Sequence, residues 1–221
     1  MLNSKNHVFF NIYEKSLLLG LIFSVLFNIV NFSAKCHKIS EKVLRLHIIA
    51  NSDSDEDQNL KLRVRDNILK YFSRNNFASL EETKIFASEH INDLVSLSQD
   101  EVFNSGFDYN VSGSLCKSSF NTRIYDNFTL PAGVYDSLKI IIGDGKGKNW
   151  WCVIFPPMCV PTAEDYSTND DSYNDNFEDD EKNIIENEPR YKVKFKIIEI
   201  IEKLHEYICN LINYFWSFFD Y

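Results

Sequence analysis

The sequence predicts an α+β domain, an antiparallel sheet packed against two to three helices, behind an apolar N-terminal signal or anchor segment. Three observations lead to this fold class. Residues 16–34 carry no charge and are flanked by lysines. Residues 55–106 show helical spacing of apolar side chains, and residues 108–155 show short strand-like runs separated by turns. Helices in one run followed by strands in the next are typical of α+β domains rather than doubly wound ones.

Residues 1–35 are predicted to be a signal peptide or a signal anchor. Leu17 to Val30 is apolar on all sides. The uncharged stretch from Ser16 to Ala34 is slightly short for an uncleaved span, which needs about 20 apolar residues. Asn28 and Asn31 interrupt it, which favours the short apolar region of a signal peptide. A cleavage site, however, prefers small residues where Phe32 stands. Both interpretations therefore stay open.

Residues 43–160 are predicted to form the folded domain. Val43 to Ala50 is β-branched and leucine-rich, which predicts a strand. Ser52 to Ser54 then supplies N-cap oxygens for a helix that runs to about Arg74, with acidic residues in its first turn. Ser79 with Glu82 predicts a capping box for a second helix. Ser98 with Glu101 predicts a short third helix that Gly106 would close.

Four strands are predicted after these helices, over residues 108–115, 122–125, 137–143 and 150–155. The glycine-rich turn from Gly143 to Lys148 joins the last two, which predicts an antiparallel hairpin. This turn does not match a phosphate-binding loop, because no Gly-Lys-Ser/Thr follows and a strand rather than a helix comes next. We therefore predict no nucleotide and no other cofactor.

The charge of the chain is concentrated in one acidic tract. The formal net charge is −9, and residues 163–189 hold eleven Asp or Glu against one Lys, which leaves the remainder near neutral. Since no basic stripe opposes this acidity, we predict no binding to nucleic acid. Residues 161–189 are predicted to be a disordered acidic linker.

The C-terminal residues 190–221 are predicted to form an amphipathic, aromatic-rich segment. Ile197, Ile201, Leu204, Ile208 and Leu211 fit one side of a helix, and the stretch after Tyr207 is aromatic and almost free of charge. Such a helix packs on its own domain, on a partner or at a membrane surface, where Tyr and Trp prefer to lie. These alternatives stay open.

The segment around Trp150 and Trp151 combines features suited to recognition. Adjacent residues of a strand point to opposite faces, so one tryptophan is expected in the core and the other exposed. An exposed tryptophan beside Pro156 and Pro157 would be a contact for a protein partner. The alternative is that flanking helices cover both rings.

Six residues, two of them prolines, lie between Cys152 and Cys159. In an oxidising exterior they are predicted to close a small disulfide loop, provided that their Cα atoms come within about 7 Å. No metal site is predicted, because no Cys-x-x-Cys pair or clustered histidines supply further ligands.

An enzymatic alternative rests on His47. With Asp53 or Asp57 and a thiol of Cys116 or Cys152 it would assemble a hydrolytic set, so an exported hydrolase is our second hypothesis. A histidine satisfied inside an apolar strand explains the same residue without chemistry. Asn51, Ser52 and Asp53 are first of all strand-exit and capping residues, although a polar loop on a rigid element is also a recognition surface.

Several short stretches resemble one family. They are Leu44-Arg45-Leu46-His47, Ala50-Asn51-Ser52-Asp53-Ser54, Val64-Arg65-Asp66, Pro131-Ala132-Gly133 and Gly145-Lys146-Gly147 through Asn149-Trp150-Trp151-Cys152, with Phe155-Pro156-Pro157. Over about Val43 to Val160 they resemble stage II sporulation protein R. The segment of two tryptophans, two prolines and two cysteines is the most specific part.

The resemblance implies a signalling protein of sporulation rather than an enzyme. Family members are made in the forespore, are secreted into the intermembrane space or face it from a membrane anchor, and activate a membrane-embedded aspartic protease. That protease processes the precursor of the transcription factor sigma-E. On this interpretation the contact residues are Asn51, Ser52, Asp53, Trp150, Trp151, Pro156 and Pro157, and the C-terminal segment assists docking on a membrane surface or the partner.

Overall fold

The computed structural model describes residues 3–125, 128–158, 176–186 and 188–217. Their elements, in chain order, are α1 Asn3–Ser40, β1 Leu44–Ile49, α2 Asp55–Phe72, α3 Leu80–Glu89, α4 Ile91–Asn104, β2 Val111–Phe120, β3 Arg123–Ile124, β4 Thr129–Leu130, β5 Gly133–Ile142, β6 Asn149–Phe155, α5 Asp179–Glu186 and α6 Glu188–Ser217. The predicted α+β class is confirmed.

The main sheet is mixed, not wholly antiparallel as expected. Its strand order is β2-β5-β1-β6. β1 is parallel to β5, whereas the pairs β2-β5 and β1-β6 are antiparallel. The predicted hairpin of β5 and β6 is wrong, since β1 lies between them. The reason is burial: the run Leu44–Ile49 is apolar on one face and covered on the other, so it takes a central position.

Helices α2, α3 and α4 cover one face of the sheet. They bury Leu46, Ile48, Leu138 and Ile140 against their own apolar sides in one core. Ser54 caps α2 by accepting from the Asp57 amide, and Ser79 caps α3 by accepting from the Glu82 amide, both as predicted.

The third predicted helix start is wrong. α4 already begins at Ile91, and Ser98 lies inside it, where its hydroxyl donates to the Leu94 carbonyl at 2.7 Å. The apolar face of the helix continues through this position, so burial outweighs the capping pattern. Gly106 adopts a positive φ of 84° just after α4, as expected of a residue that ends a helix.

A second core covers part of the opposite face, next to β4. Phe32, Cys36 and Ile39 at the end of α1 pack there with Tyr135 of β5. The helices near the C-terminus and the residues just before them add Phe177, Ile184, Ile185, Phe195 and Ile198 to this core. The prediction of a disordered linker is therefore wrong for α5, whose Glu181 is 1% exposed and pairs with Lys42 at 2.6 Å. Residues 161–175 and residue 187 of the predicted linker lie outside the described residues.

The rest of α1 projects from the domain. Large apolar side chains such as Leu17, Phe23 and Phe27 are exposed, and from Ile12 onward the helix is long and apolar enough to cross a membrane. This fits the predicted signal or anchor segment. The helix does not break where the apolar part ends, but continues into the second core.

Candidate functional site: the clasp at the end of the central strand

The loop after β1 and the glycine-rich connection between β5 and β6 bond to each other. We call the loop Asn51–Asp53, the connection Gly143–Lys148, and their contact the clasp. The connection crosses over the end of β1: the Lys146 amide donates to the Asn51 carbonyl at 3.1 Å, and the Gly147 amide donates to the Ala50 carbonyl at 2.9 Å. What looked like a hairpin tip is therefore a bridge that closes one end of the sheet.

Side chains of the loop complete the clasp. The Asp144 amide donates to Asn51 Oδ1 at 3.0 Å, and the Lys148 amide donates to Asp53 Oδ1 at 2.7 Å. Two of the predicted contact residues thus hold the connection in place. Asp53 nevertheless stays exposed, and Asn51 and Ser52 are half-buried.

Asp57, in the first turn of α2, holds the loop in place through two hydrogen bonds. Its Oδ2 accepts from Asn51 Nδ2 at 3.0 Å and from the Ser52 hydroxyl at 2.6 Å, while the residue is 3% exposed. Lys61, 4% exposed, donates from Nζ to the Lys148 carbonyl at 2.9 Å. The first two turns of α2 therefore support both halves of the clasp, and buried carboxylate oxygens need such partners.

Glycines are required where the two segments meet. Gly143 has φ +58°, and a Cβ there would overlap the Asn51 side chain. A Cβ on Gly147 would overlap the backbone carbonyl of Ser52, which has no rotamer with which to move away. The spacing of glycines along the sequence thus follows from a close approach of two backbones.

His47 lies on the sheet face away from α2, α3 and α4. Its ring stacks on Trp151 at a centroid distance of 3.7 Å, and Nε2 donates to Asn149 Oδ1 at 2.8 Å. Phe120 packs edge-on against both rings. His47 is 6% exposed, so it is a packed histidine of a polar-aromatic cluster.

Arg45 lies two residues before His47 on the same face and is fully buried. Its guanidinium carbon lies 4.0 Å from the Phe120 ring centroid and 5.0 Å from that of Tyr135. Nη2 donates to the Tyr125 hydroxyl at 2.7 Å, and no described residue accepts from Nε or Nη1. Sequence reasoning missed this residue, although an arginine in an otherwise apolar strand was a visible signal.

The two tryptophans point to opposite faces, as predicted from the strand. Trp150 pairs with Ile48 and Trp151 with His47 in the register of β1 and β6. The expectation that one ring is exposed is wrong, because both are half-buried. Arg65 of α2 lies 4.6 Å from the Trp150 ring centroid and Arg123 lies 5.9 Å from that of Trp151.

The seven predicted contact residues do not form one patch. Pro156 and Pro157 follow the far end of β6, six strand steps or about 20 Å from Asn149 beside the clasp. Pro156 is buried and Pro157 exposed.

Cys152 is disulfide-bonded, whereas Cys36, Cys116 and Cys209 are free. Its predicted partner Cys159 lies outside the described residues, so that pairing stays a prediction.

The proposed hydrolytic set is not assembled among the described side chains. Asp53 and Asp57 are engaged in the clasp, and bonded Cys152 provides no thiol. Cys152 also pairs with Leu46 on the face opposite His47. Among these residues there is likewise no cluster of three or more His, Cys, Asp or Glu that would hold a metal ion.

Acid should destabilise the fold through His47. Burial lowers the pKa of His47 from 6.5 to about 4. The unfolded chain therefore binds a proton between these pH values that the folded chain does not bind, so stability falls as the pH drops through this window. We expect a loss of up to about 3 kcal/mol.

Denaturant unfolding of the parent and of H47Q between pH 7 and pH 4 checks this expectation. The His47→Gln variant should lose less stability over this range, whereas H37Q, at an exposed histidine of α1, should follow the parent. Equal slopes for the parent and H47Q would contradict the assignment.

The protein is thus an α+β domain that follows directly on an apolar N-terminal helix. This helix is long and apolar enough to be a signal or anchor segment. The model of the family described as stage II sporulation protein R matches residues 40–165, more than half of the chain. The chain therefore belongs to the stage II sporulation protein R family and is a sporulation protein.

A curated relative agrees with this assignment. The chain is similar to stage II sporulation protein R of Bacillus subtilis (strain 168), with 37% identity over 123 residues. The alignment covers 55% of this chain and 55% of the relative, so the chain spans about half the length of that protein. No solved structure matches the chain.

Proposed function

We propose that this chain is an exported signalling protein that activates a membrane-embedded aspartic protease, which then processes the sigma-E precursor. Membership of the stage II sporulation protein R family carries the proposal. The chain would act as a ligand without covalent chemistry of its own. The residues considered for a hydrolytic site already have structural partners, which supports a role without catalysis. They are His47, Asp53, Asp57 and Cys152.

We also propose that α1 stays attached as a membrane anchor facing the intermembrane space. Phe32, at the end of its apolar stretch, is 4% exposed and stacks on Tyr191 of α6 at 5.5 Å. Cys36 and Ile39 follow in the same core. Cleavage after Ala34 would remove Phe32 from this packing, which favours the anchor over a cleaved leader.

Among the described side chains in the distal half of α6, several large apolar ones are exposed and available for docking. Ile200, Leu204, Tyr207 and Ile212 are about half or more exposed, while Phe195 and Ile198 nearer its start are buried in the second core. The helix thus divides into a docked half and an exposed apolar half. This supports a role for the exposed half at a membrane surface or on the partner.

Cells that produce the protease and the sigma-E precursor test the proposed activity. Co-expression of the full chain should yield the shorter, processed factor on an immunoblot, because the chain turns on the protease. A protease variant without its catalytic aspartate should give no product. If the precursor were still cleaved with that variant, this chain would itself be the hydrolase and the proposal would be wrong.

The same assay examines the contact residues. D53A and P157A alter exposed side chains at the two ends of the sheet and should each reduce processing by about fivefold, as expected when one contact of an interface is lost. A ligand surface responds in such graded steps, whereas a catalytic site loses activity by orders of magnitude at one residue. Unchanged processing in both variants would show that the contact surface lies elsewhere on the protein.

A further inference from the structure

A cleft lies between α1, α5 and α6 at the end of the apolar part of α1. Its cavity volume is about 190 Å³, which is below the range of about 300–1,000 Å³ that is usual for drug-sized ligands, so the cleft has room for one small group only. Its polar lining includes Asn28, Asn31 and Lys35 of α1, Asp180 of α5 and Lys194 of α6. Three separate helices thus bring polar groups together beside an otherwise apolar segment.

One lysine of the cleft, Lys194, has no anionic partner among the described residues. Lys35 and Asp180 form an ion pair at 2.6 Å and neutralise each other. The Lys194 ammonium lies 5.3 Å from the ring centroid of Phe32 and 5.7 Å from that of Tyr191. No carboxylate in the described part of the chain forms an ion pair with it, so the lining has one net positive charge.

Two other acidic residues of α5 are directed to other cations. Glu181 pairs with Lys42 at 2.6 Å, and Asp179 lies 4.0 Å from Lys182. The half-buried Lys194 offers an anion a point charge, and the Asn31 amide offers hydrogen-bond donors. Asn28 adds only its second amide N–H, because its Nδ2 already donates to the Ser24 carbonyl at 3.2 Å. These are the groups that bind a phosphate oxygen.

The position of the cleft along α1 indicates where such an anion would come from. Lys15 and Lys35 flank the uncharged stretch and are twenty residues apart. At about 1.5 Å per residue they are separated by roughly 30 Å, the thickness of the hydrocarbon core of a bilayer. If both lysines lie at the interfaces, the cleft opens at the level of the lipid headgroups.

We propose that this cleft binds the phosphate headgroup of an anionic phospholipid in the leaflet where α1 ends. The inference rests on the membrane insertion of α1 in the proposed function, but not on protease activation. An anionic lipid is favoured over phosphatidylcholine because the latter brings its own cation to a site that is already positive. The bound lipid would fix the domain against the membrane from which it projects.

Native mass spectrometry of the full chain, released from nanodiscs that contain equal amounts of phosphatidylglycerol and phosphatidylcholine, tests the site. The parent should retain phosphatidylglycerol about fivefold over phosphatidylcholine, the contribution expected of one lysine near a membrane surface. K194Q should lose this preference, and K194R, which keeps the charge, should retain it. K192Q makes the same change of charge at an exposed position on the same helix and should behave like the parent.

The outcomes separate the lipid site from its alternatives. Equal losses in K194Q and K192Q would assign the preference to general surface charge and overturn the proposal, as would a parent without any preference. Displacement of the lipid by millimolar inorganic phosphate would identify a site for free anions and overturn it too. If the chain failed to insert into the bilayer, both this inference and the proposed anchor would be wrong, whereas insertion without preference would overturn the lipid site alone.

Discussion

Replacing Gly147 with alanine is expected to open the clasp and to lower the free energy of unfolding by about 3 kcal/mol. The new Cβ would overlap the Ser52 carbonyl and press on Ala50, so the backbone of one segment has to move. That movement would weaken the bonds from Gly147 to Ala50 and from Lys148 to Asp53. Thermal unfolding should show a decrease in Tm of roughly 6–12 °C.

Gly133 provides the matched control for this substitution. It is buried, whereas Gly147 is half-buried, and it lies at the start of β5, where a Cβ would make only ordinary contacts of 3.6 Å with Tyr135 and 3.8 Å with Ser40. G133A should therefore stay close to the parent in Tm. A G147A variant as stable as G133A would show that the loop and the connection are not in close contact in solution.

Replacing Arg45 with alanine is expected to cost about 3–4 kcal/mol, because Arg45 is the largest of the fully buried side chains and its removal leaves a cavity. R45M keeps most of the volume and should cost less than about 1.5 kcal/mol. R45K keeps the charge but loses the planar stacking on Phe120, and it buries a strongly hydrated ammonium. We therefore expect R45K to be less stable than R45M.

Denaturant unfolding of the three Arg45 variants checks this order. We expect this order of stability because the guanidinium is surrounded by aromatic rings and one tyrosine hydroxyl rather than by a carboxylate. If R45K matched the parent while R45M unfolded readily, charge rather than packing would be the main contribution of Arg45.

Local elements of this fold could be predicted well from the sequence. The caps at Ser54 and Ser79 use side-chain oxygens three residues before the amides that they accept from, so the pattern alone is sufficient. The apolar stretch of α1 likewise follows from composition. At Ser98 the same capping pattern failed, since nothing in a local pattern shows that a helix is already under way.

The pairing of strands could not be predicted in the same way. β5 and β6 are separated by a short glycine-rich connection, which normally indicates a hairpin. Only the competition for burial among all strands places β1 between them. The clasp follows from that placement, because the connection then has to pass over Ala50 and Asn51.

The candidate site shows the same division. Asn51 and Asp53 were identified from the sequence as polar residues at a strand exit, and they do lie there. Their hydrogen-bond donors could not be predicted, because the amides of Asp144 and Lys148 lie more than ninety residues further along the chain.

By itself, then, the sequence determined the class of the domain, its apolar leading helix, two of its helix caps and the family signature. These depend on side-chain chemistry within a few residues. Only the tertiary structure decided the mixed strand order, the burial of Arg45 and His47, and the docking of α5 and α6 on the end of α1. Such long-range contacts are selected by the total apolar surface removed from water, and no short stretch of sequence encodes that sum.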